Sequence, residues 1–325
     1  MSSSRPDAAL GAAALLDTAT PPASAVAAAA QPRPGGAGAG VAPYLQAAPL
    51  ALVLLLFLVL PLLVTAAVSL WDYTEFTLVP DVTLRNYREM FEGCVSGSGA
   101  CATLRTYLST FRLCALTLAA TLPLGFAVAY FLAFHVRSDA MRTALFLLCT
   151  APFLTSNVIR MISWIPLLGR EGAVNRALLG AGVVDRPLDW LLYSEFAVVL
   201  AFVHLYTLFV VVPVFNSLMR IDRRLLEAAR DAGASGRQIV LHVVLPLAKP
   251  GLAIGAIFVG TLVMGDFVTV GVMGGQQIAS VGKAIQTHAA YLQFPAAAAQ
   301  SVVLLAVVLM MIAALTRLVD VRREL

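Results

Sequence analysis

From Ala47 to Leu70 the chain carries no charged side chain, and a helix needs only about 20 apolar residues to cross the hydrocarbon core of a bilayer. Such a run closes off most folds, because a segment in lipid must bond its own backbone groups and so forms a helix. Five further runs follow, at about Tyr107–Phe134, Thr143–Leu168, Phe196–Met219, Gly251–Met273 and Ala296–Leu315. The reading is an all-α integral membrane protein with six transmembrane helices. Composition agrees: 60% of residues are hydrophobic and 12% charged, about half the charged fraction of a soluble domain. A net charge of +4 could point to nucleic acid, but the basic residues are dispersed over loops without an aromatic–basic platform. Pro61 predicts a kink in the first span, and Trp71 and Tyr73 suit the membrane interface.

Residues 1–42 are rich in Ala, Pro and Gly, with PRPGGAGAG at 32–40 and no apolar block between a basic start and a cleavage site. They predict a disordered cytoplasmic tail and no cleaved signal peptide. Residues 43–104 then hold the first helix and an outer loop, 105–315 a core of five helices, and 316–325 a short cytoplasmic end. Lys and Arg set the orientation, because basic loops stay in the cytoplasm. With the N-terminus inside, thirteen of these residues fall on the cytoplasmic side and seven opposite. Both termini are therefore expected inside.

One charged stretch, Glu227 to Pro246, separates two apolar runs on that inner side. Asp222 can cap a short helix bearing Leu225, Leu226, Ala228 and Ala229, and Gly233 can end it. Ser235 can cap a second helix carrying Ile239, Val240, Val243 and Val244, until Leu245, Pro246 and Pro250 impose a bend. Small alanines, a directional glutamate and nearby arginines suit a docking knob outside the bilayer. The plainer reading is a polar loop whose Arg220, Arg223, Arg224, Arg230, Arg237 and Lys249 serve topology.

The spacing Glu-Ala-Ala, three residues, Gly, nine residues, Val-x-Leu-Pro resembles the cytoplasmic coupling motif of binding-protein-dependent ABC importer permeases. The resemblance rests on Glu227, Ala228, Ala229, Gly233, Leu245 and Pro246, with Val243 where that family usually has isoleucine. It implies the type I importer permease fold, with a coupling helix seated in a groove of an ATPase subunit. It also implies a second homologous permease, two cytoplasmic ABC ATPases, an extracytoplasmic solute-binding protein and a bacterial inner membrane. No Walker phosphate loop occurs in this chain, so ATP and Mg are expected on the ATPase, and no cofactor here. His135, His204, His242 and His288 lack metal-ligand spacing, and no nucleophile elbow or H-E-x-x-H is present, so neither a metal site nor a catalytic centre is expected. His204, alone in its span, is expected to be hydrogen-bonded between helices.

Charges inside a span point toward partners or a wet pathway. Arg112 near a span end reads as a side chain reaching for the interface. Pro152, Ser156, Arg160 and Trp164 recur every four residues and predict one polar helical face. Asp266 follows Gly251, Gly255, Gly260 and Gly265, a stripe that admits another helix closely. It either lines the path or makes an ion pair with Arg160 that fixes packing. Cys94 and Cys101 in one outer loop could form a bridge or remain two thiols. Cys114 and Cys149 read as packing residues.

The 152–164 face with Gly169, Gly172 and Asn175, and the run Gly265-Asp266-Phe267-Val268 with Gly274, Gly275, Gly282, Ile285, Phe294 and Pro295, resemble the spermidine/putrescine permeases. Asp266 stands where glutamate is expected. The resemblance implies an importer of a polyamine, or, among relatives of that pattern, of ferric iron, thiamine, an opine or aminoethylphosphonate. An ion-coupled secondary transporter working through Asp266 and Arg160 is the rival from another class, but it should show repeated halves with broken helices, and no such repeat is visible.

Overall fold

The computed structural model describes residues 42–74, 77–94 and 101–318. The expected tail at 1–42, apart from its last residue, and the end of the chain beyond 318 lie outside the described residues. Two compact units divide at residue 59. The described part of the first is helix α1 (Ala42–Leu54) followed by a π turn at Leu55–Val59, with side chains exposed throughout 46–59, as a lipid-facing surface requires.

The second unit begins with α2 (Leu60–Val68) and a two-stranded antiparallel ribbon of β1 (Asp72–Tyr73) and β2 (Leu78–Val79). Next come α3 (Arg85–Met90), α4 (Ala102–Tyr130), α5 (Asp139–Thr150), α6 (Asn157–Ile162), α7 (Ile165–Leu168) and α8 (Ala173–Gly180). Then follow α9 (Glu195–Met219), α10 (Arg223–Asp231), α11 (Gly236–Ile239), α12 (Leu245–Leu247), α13 (Lys249–Gly265), α14 (Val268–Met273), α15 (Val281–Ala290) and α16 (Phe294–Leu318). Among the described residues, four runs are long and apolar enough to cross a bilayer: Gln46–Val68, Ala102–His135, Asp189–Met219 and Phe294–Arg317. Two bent pairs complete the six, Asp139–Leu154 with Asn157–Gly180 at 92° and Gly236–Leu247 with Lys249–Gly265 at 65°.

The third span is thus not the straight helix over Thr143–Leu168 that hydropathy predicts. Pro152 cannot donate to the ladder, so the chain tightens into a 3₁₀ turn at Ala151–Leu154 and turns extended at Thr155 before α6 starts. The fifth span also breaks, at Asp266, where the backbone leaves helical geometry. Proline shapes two other segments. Pro61 and Pro246 each follow a π turn, at Leu55–Val59 and Val240–Val244, over the carbonyls that the missing N–H cannot bond.

Helix α9 is the hub. Its buried residues, including Val198, Phe202, Leu205, Val210 and Val214, recur at helical spacing and face α4 and α13. Small residues set how near the neighbours come. A Cβ at Gly125 would lie 2.6 Å from Val210 Cγ1, and one at Gly251 would lie 2.6 Å from the Pro213 carbonyl oxygen and 2.9 Å from Val214 Cα. Gly255 also faces Val210, whereas Gly260 faces Met311 and Gly265 meets nothing within 4 Å. The first two glycines of the stripe therefore serve packing against this chain's own α9.

Contacts also fix polarity. Arg112 pairs with Glu195 at 2.8 Å while Gly125 meets Val210, so α4 and α9 run parallel. Gly251 near Pro213 makes α13 antiparallel to them. Ser109 and Thr110 bond Ala279 and Val281 at 2.7 and 3.0 Å, which places α15 beside the start of α4. Cys94 Sγ is bonded to Cys101 Sγ at that same end, opposite the 220–248 segment. The exposed Arg112 side chain, read as reaching for the interface, also makes the ion pair with Glu195.

Gly251→Val should lower stability by about 1–3 kcal/mol, because the added methyls meet backbone that cannot move aside. Gly180→Ala, with open space around it, should leave stability unchanged or slightly higher. Thermal unfolding of the two variants in nanodiscs is the check.

Candidate functional site

Two places gather the predicted site residues. At one end of the bundle is an elbow. Asp222 Oδ1 accepts from the Arg224 N–H at 2.9 Å and starts α10. The helix ends in a paired motif: Gly233 N–H donates to Arg230 O at 2.8 Å and Ala234 N–H to Ala229 O at 3.0 Å. That pattern needs a left-handed residue, and Gly233 has φ +83°. Ser235 then forms a capping box with Gln238, whose side chain accepts from the Ser235 N–H at 2.8 Å. Two helix ends are satisfied within a few residues, so a charged segment holds one shape.

The elbow has two faces. Leu226, Ala229, Ala234 and Val243 pack on the core beside buried Ile239 and Val244, while Arg224, Glu227, Ala228 and Asp231 stay exposed. The two alanines split: Ala228 leaves the outer surface shallow and Ala229 lets the helix sit close to its own protein. Leu245 and Pro246 are half-buried at the end of the second arm, and the chain bends at Ala248 into α13. A rigid arm continuous with a span, presenting a carboxylate beside a small residue, can transmit displacement from a partner into the membrane.

The second place lies mid-bundle around Asp266 and Arg160, which do not pair with each other. Asp266 Oδ2 accepts from the Tyr206 hydroxyl at 2.6 Å and the Thr269 hydroxyl at 2.7 Å, and Oδ1 accepts from the Thr269 N–H at 2.7 Å. The carboxylate thus caps the first turn of α14 and ties it to α9. No cation lies within ion-pair distance among the described residues. Of the two readings left open for Asp266, the ion pair with Arg160 is not formed, and its carboxylate is held instead by this neutral-donor network. The group is half-buried, and its partners are these neutral donors.

Arg160 is 8% exposed. Its guanidinium bonds Asn157 Oδ1 and sits 5.5 Å from the Phe153 ring centre. Trp164 Nε1 donates to His204 Nδ1 at 3.0 Å and links the broken third span to α9, the interhelical position expected of His204. Ser156 is exposed at the break. The stripe of Pro152, Ser156, Arg160 and Trp164 is therefore not one helical face, since two changes of helix geometry intervene. Tyr206, Thr269, Asn157 and Phe153 were missed. Asp266 and Thr269 do carry a signal, the acceptor-x-x-partner spacing after glycine that marks a helix stop and restart. Tyr206 carried none, because its partner is 60 residues away.

An all-helical bundle with broken spans and a capped elbow defines a membrane permease subunit of an ABC importer. Residues 121–323 match the family described as "Binding-protein-dependent transport system inner membrane component", and the chain belongs to that family. It is 30% identical over 236 residues to the spermidine/putrescine transport system permease protein PotB of Salmonella typhimurium (strain SL1344), covering 72% of this chain and 78% of that one. A shorter stretch of 60 residues is 48% identical to PotC of Escherichia coli (strain K12), covering 18% of this chain and 23% of that one. In three dimensions the chain is similar to one from the crystal structure of a bacterial alginate ABC transporter in complex with alginate pentasaccharide-bound periplasmic protein. The TM-score is 0.69 at 17% identity, covering 86% of this chain and 94% of that one. The fold is that of a type I importer permease, multi-pass in the inner membrane.

Tyr206→Phe should cost about 1.5–3 kcal/mol, the range for a hydrogen bond to a charged group, and should loosen α14 from α9. Hydrogen exchange over 266–273 should rise while that of α4 stays unchanged.

Proposed function

We propose that this chain is a permease subunit that moves a polyamine such as spermidine or putrescine inward, driven by a separate ATPase. The observation that carries the solute is the 30% identity to a permease of that name, which extends over 72% of the chain. The elbow supports the drive. In this reading Glu227 and Ala228 present the docking surface, Ala229, Gly233, Leu245 and Pro246 shape the arm behind it, and two cytoplasmic ABC ATPases bind ATP and Mg. A second homologous permease completes the membrane part, and an extracytoplasmic binding protein delivers the solute at the disulfide end. Both termini and the elbow then face the cytoplasm, in keeping with the thirteen-to-seven division of basic residues.

Alternating access follows from this arrangement. Closure of the ATPases moves the elbow, the 65° bend passes that motion into α13, and α13 ends at Asp266. The carboxylate there suits the passage of a cation, while Arg160, Ser156 and Trp164 line the neighbouring wall. This chain itself catalyses no reaction.

Glu227→Lys should abolish uptake of radiolabelled spermidine by cells expressing the whole transporter while leaving the chain in the membrane, because it reverses the charge on the docking face. Uptake at the parent rate would refute the coupling role. Asp266→Asn should lower uptake several-fold with assembly intact; loss of the assembled complex instead would make that residue structural. A transporter that takes up no polyamine but does take up another solute would remove the polyamine and leave the permease.

A further inference from the structure

A cavity of about 350 Å³ opens at the disulfide end of the bundle, among α3, α4, α15 and α16 and away from both Asp266 and the elbow. Its wall has an unusual balance of donors and acceptors. The Asn86 amide spends both hydrogens on backbone carbonyls, of Ser69 at 3.0 Å and Trp71 at 2.8 Å. The Thr103 hydroxyl donates to Met90 O, and the Thr106 hydroxyl to Ala102 O at 2.9 Å. His288 Nδ1 lies 2.7 Å from Gln293 Oε1, so that ring nitrogen is already engaged within the protein.

What remains is mostly acceptor. Glu89 and Glu92 stand exposed at the wall; Arg85 holds Glu89 at 2.6 Å, whereas Glu92 has no cation partner among the described residues. Deeper in, Gln300 Oε1 and the Tyr107 hydroxyl are both buried without a hydrogen-bond partner among the described residues. Buried polar atoms are rarely left so, because each unmade bond costs about 1–3 kcal/mol. Tyr73 and Tyr107 add aromatic surface that attracts a cation. No group of His, Cys, Asp and Glu among the described residues comes close enough to share a metal ion.

We propose that this cavity binds the ammonium end of an alkylamine. An ammonium is compact and brings three donors and no acceptor. It satisfies Gln300 Oε1 and the Tyr107 oxygen while neutralising Glu92, and the alkyl stem rests on the tyrosine rings. An anion meets Glu92 and is repelled, and a neutral diol lacks the charge. The site agrees with a polyamine cargo but is argued from its own walls, so it stands or falls separately.

The test is equilibrium binding of radiolabelled putrescine to the full-length chain in nanodiscs with its co-purifying subunits and no binding protein. Putrescine should bind saturably, and butanediol at the same concentration should not compete. Glu92→Gln should weaken binding about tenfold or more, as expected for losing a charged hydrogen bond. Gln300→Leu should weaken it as well. Glu92 is exposed, so its variant should keep the parent's unfolding temperature. Asp266→Asn should retain the Glu92-dependent binding, which separates this cavity from the mid-bundle carboxylate. Absence of saturable binding, equal competition by butanediol, or parent-like binding by Glu92→Gln would each overturn the assignment. Cells that take up no polyamine while the purified chain shows Glu92-dependent binding would remove the polyamine cargo and leave the cavity.

Discussion

A peptide group in hydrocarbon has no water to turn to, so every break in a membrane helix needs a partner supplied by the protein. That constraint organises this chain. Where α13 stops, the Asp266 carboxylate takes up the N–H of Thr269 and restarts the helix. Where Pro61 and Pro246 remove donors, the preceding turn widens to π geometry. At the elbow, Gly233 and Ser235 close one helix and open the next within two residues. The elbow and the break at Asp266 are therefore held in one shape, and a held shape can carry force.

Close packing on α9 ties together the spans of the second unit that flank it. Gly125, Gly251 and Gly255 bring α4 and α13 onto it at backbone distance, and dispersion over such contacts substitutes for the hydrophobic drive that lipid does not offer. Tyr206 of the same helix holds Asp266, and His204 receives Trp164 from the broken third span. The hub thus touches both halves of the mid-bundle site. At the elbow the core buries Ile239, half-buries Leu226 and Ala229, and leaves Glu227 and Ala228 facing out. Displacement of the outer face reaches the site through a continuous chain of helices.

Much of this was legible beforehand, though unevenly. Apolar runs of spanning length located the six candidate crossings, and the Asp222, Gly233 and Ser235 signals placed the elbow's caps where they form. These are local features, set by residues within one or two turns. The straightness of the third span was not legible, because hydropathy averages over Pro152 and cannot register a 92° bend. Nor was the partner of Asp266. Opposite charge made Arg160 one of two readings, but geometry gave the carboxylate three neutral hydrogen bonds and gave Arg160 the side chains of Asn157 and Phe153.

Sequence alone determined that this chain lives in a bilayer, how many times it crosses and where a capped elbow leaves the membrane. Those properties follow from hydropathy and from caps whose partners lie a few residues off. Tertiary structure decided which glycine faces which helix, where the spans break and which side chains meet the buried charges. A hydrogen bond such as Tyr206 to Asp266 spans 60 residues of chain and 2.6 Å of space, and only packing brings those two lengths together.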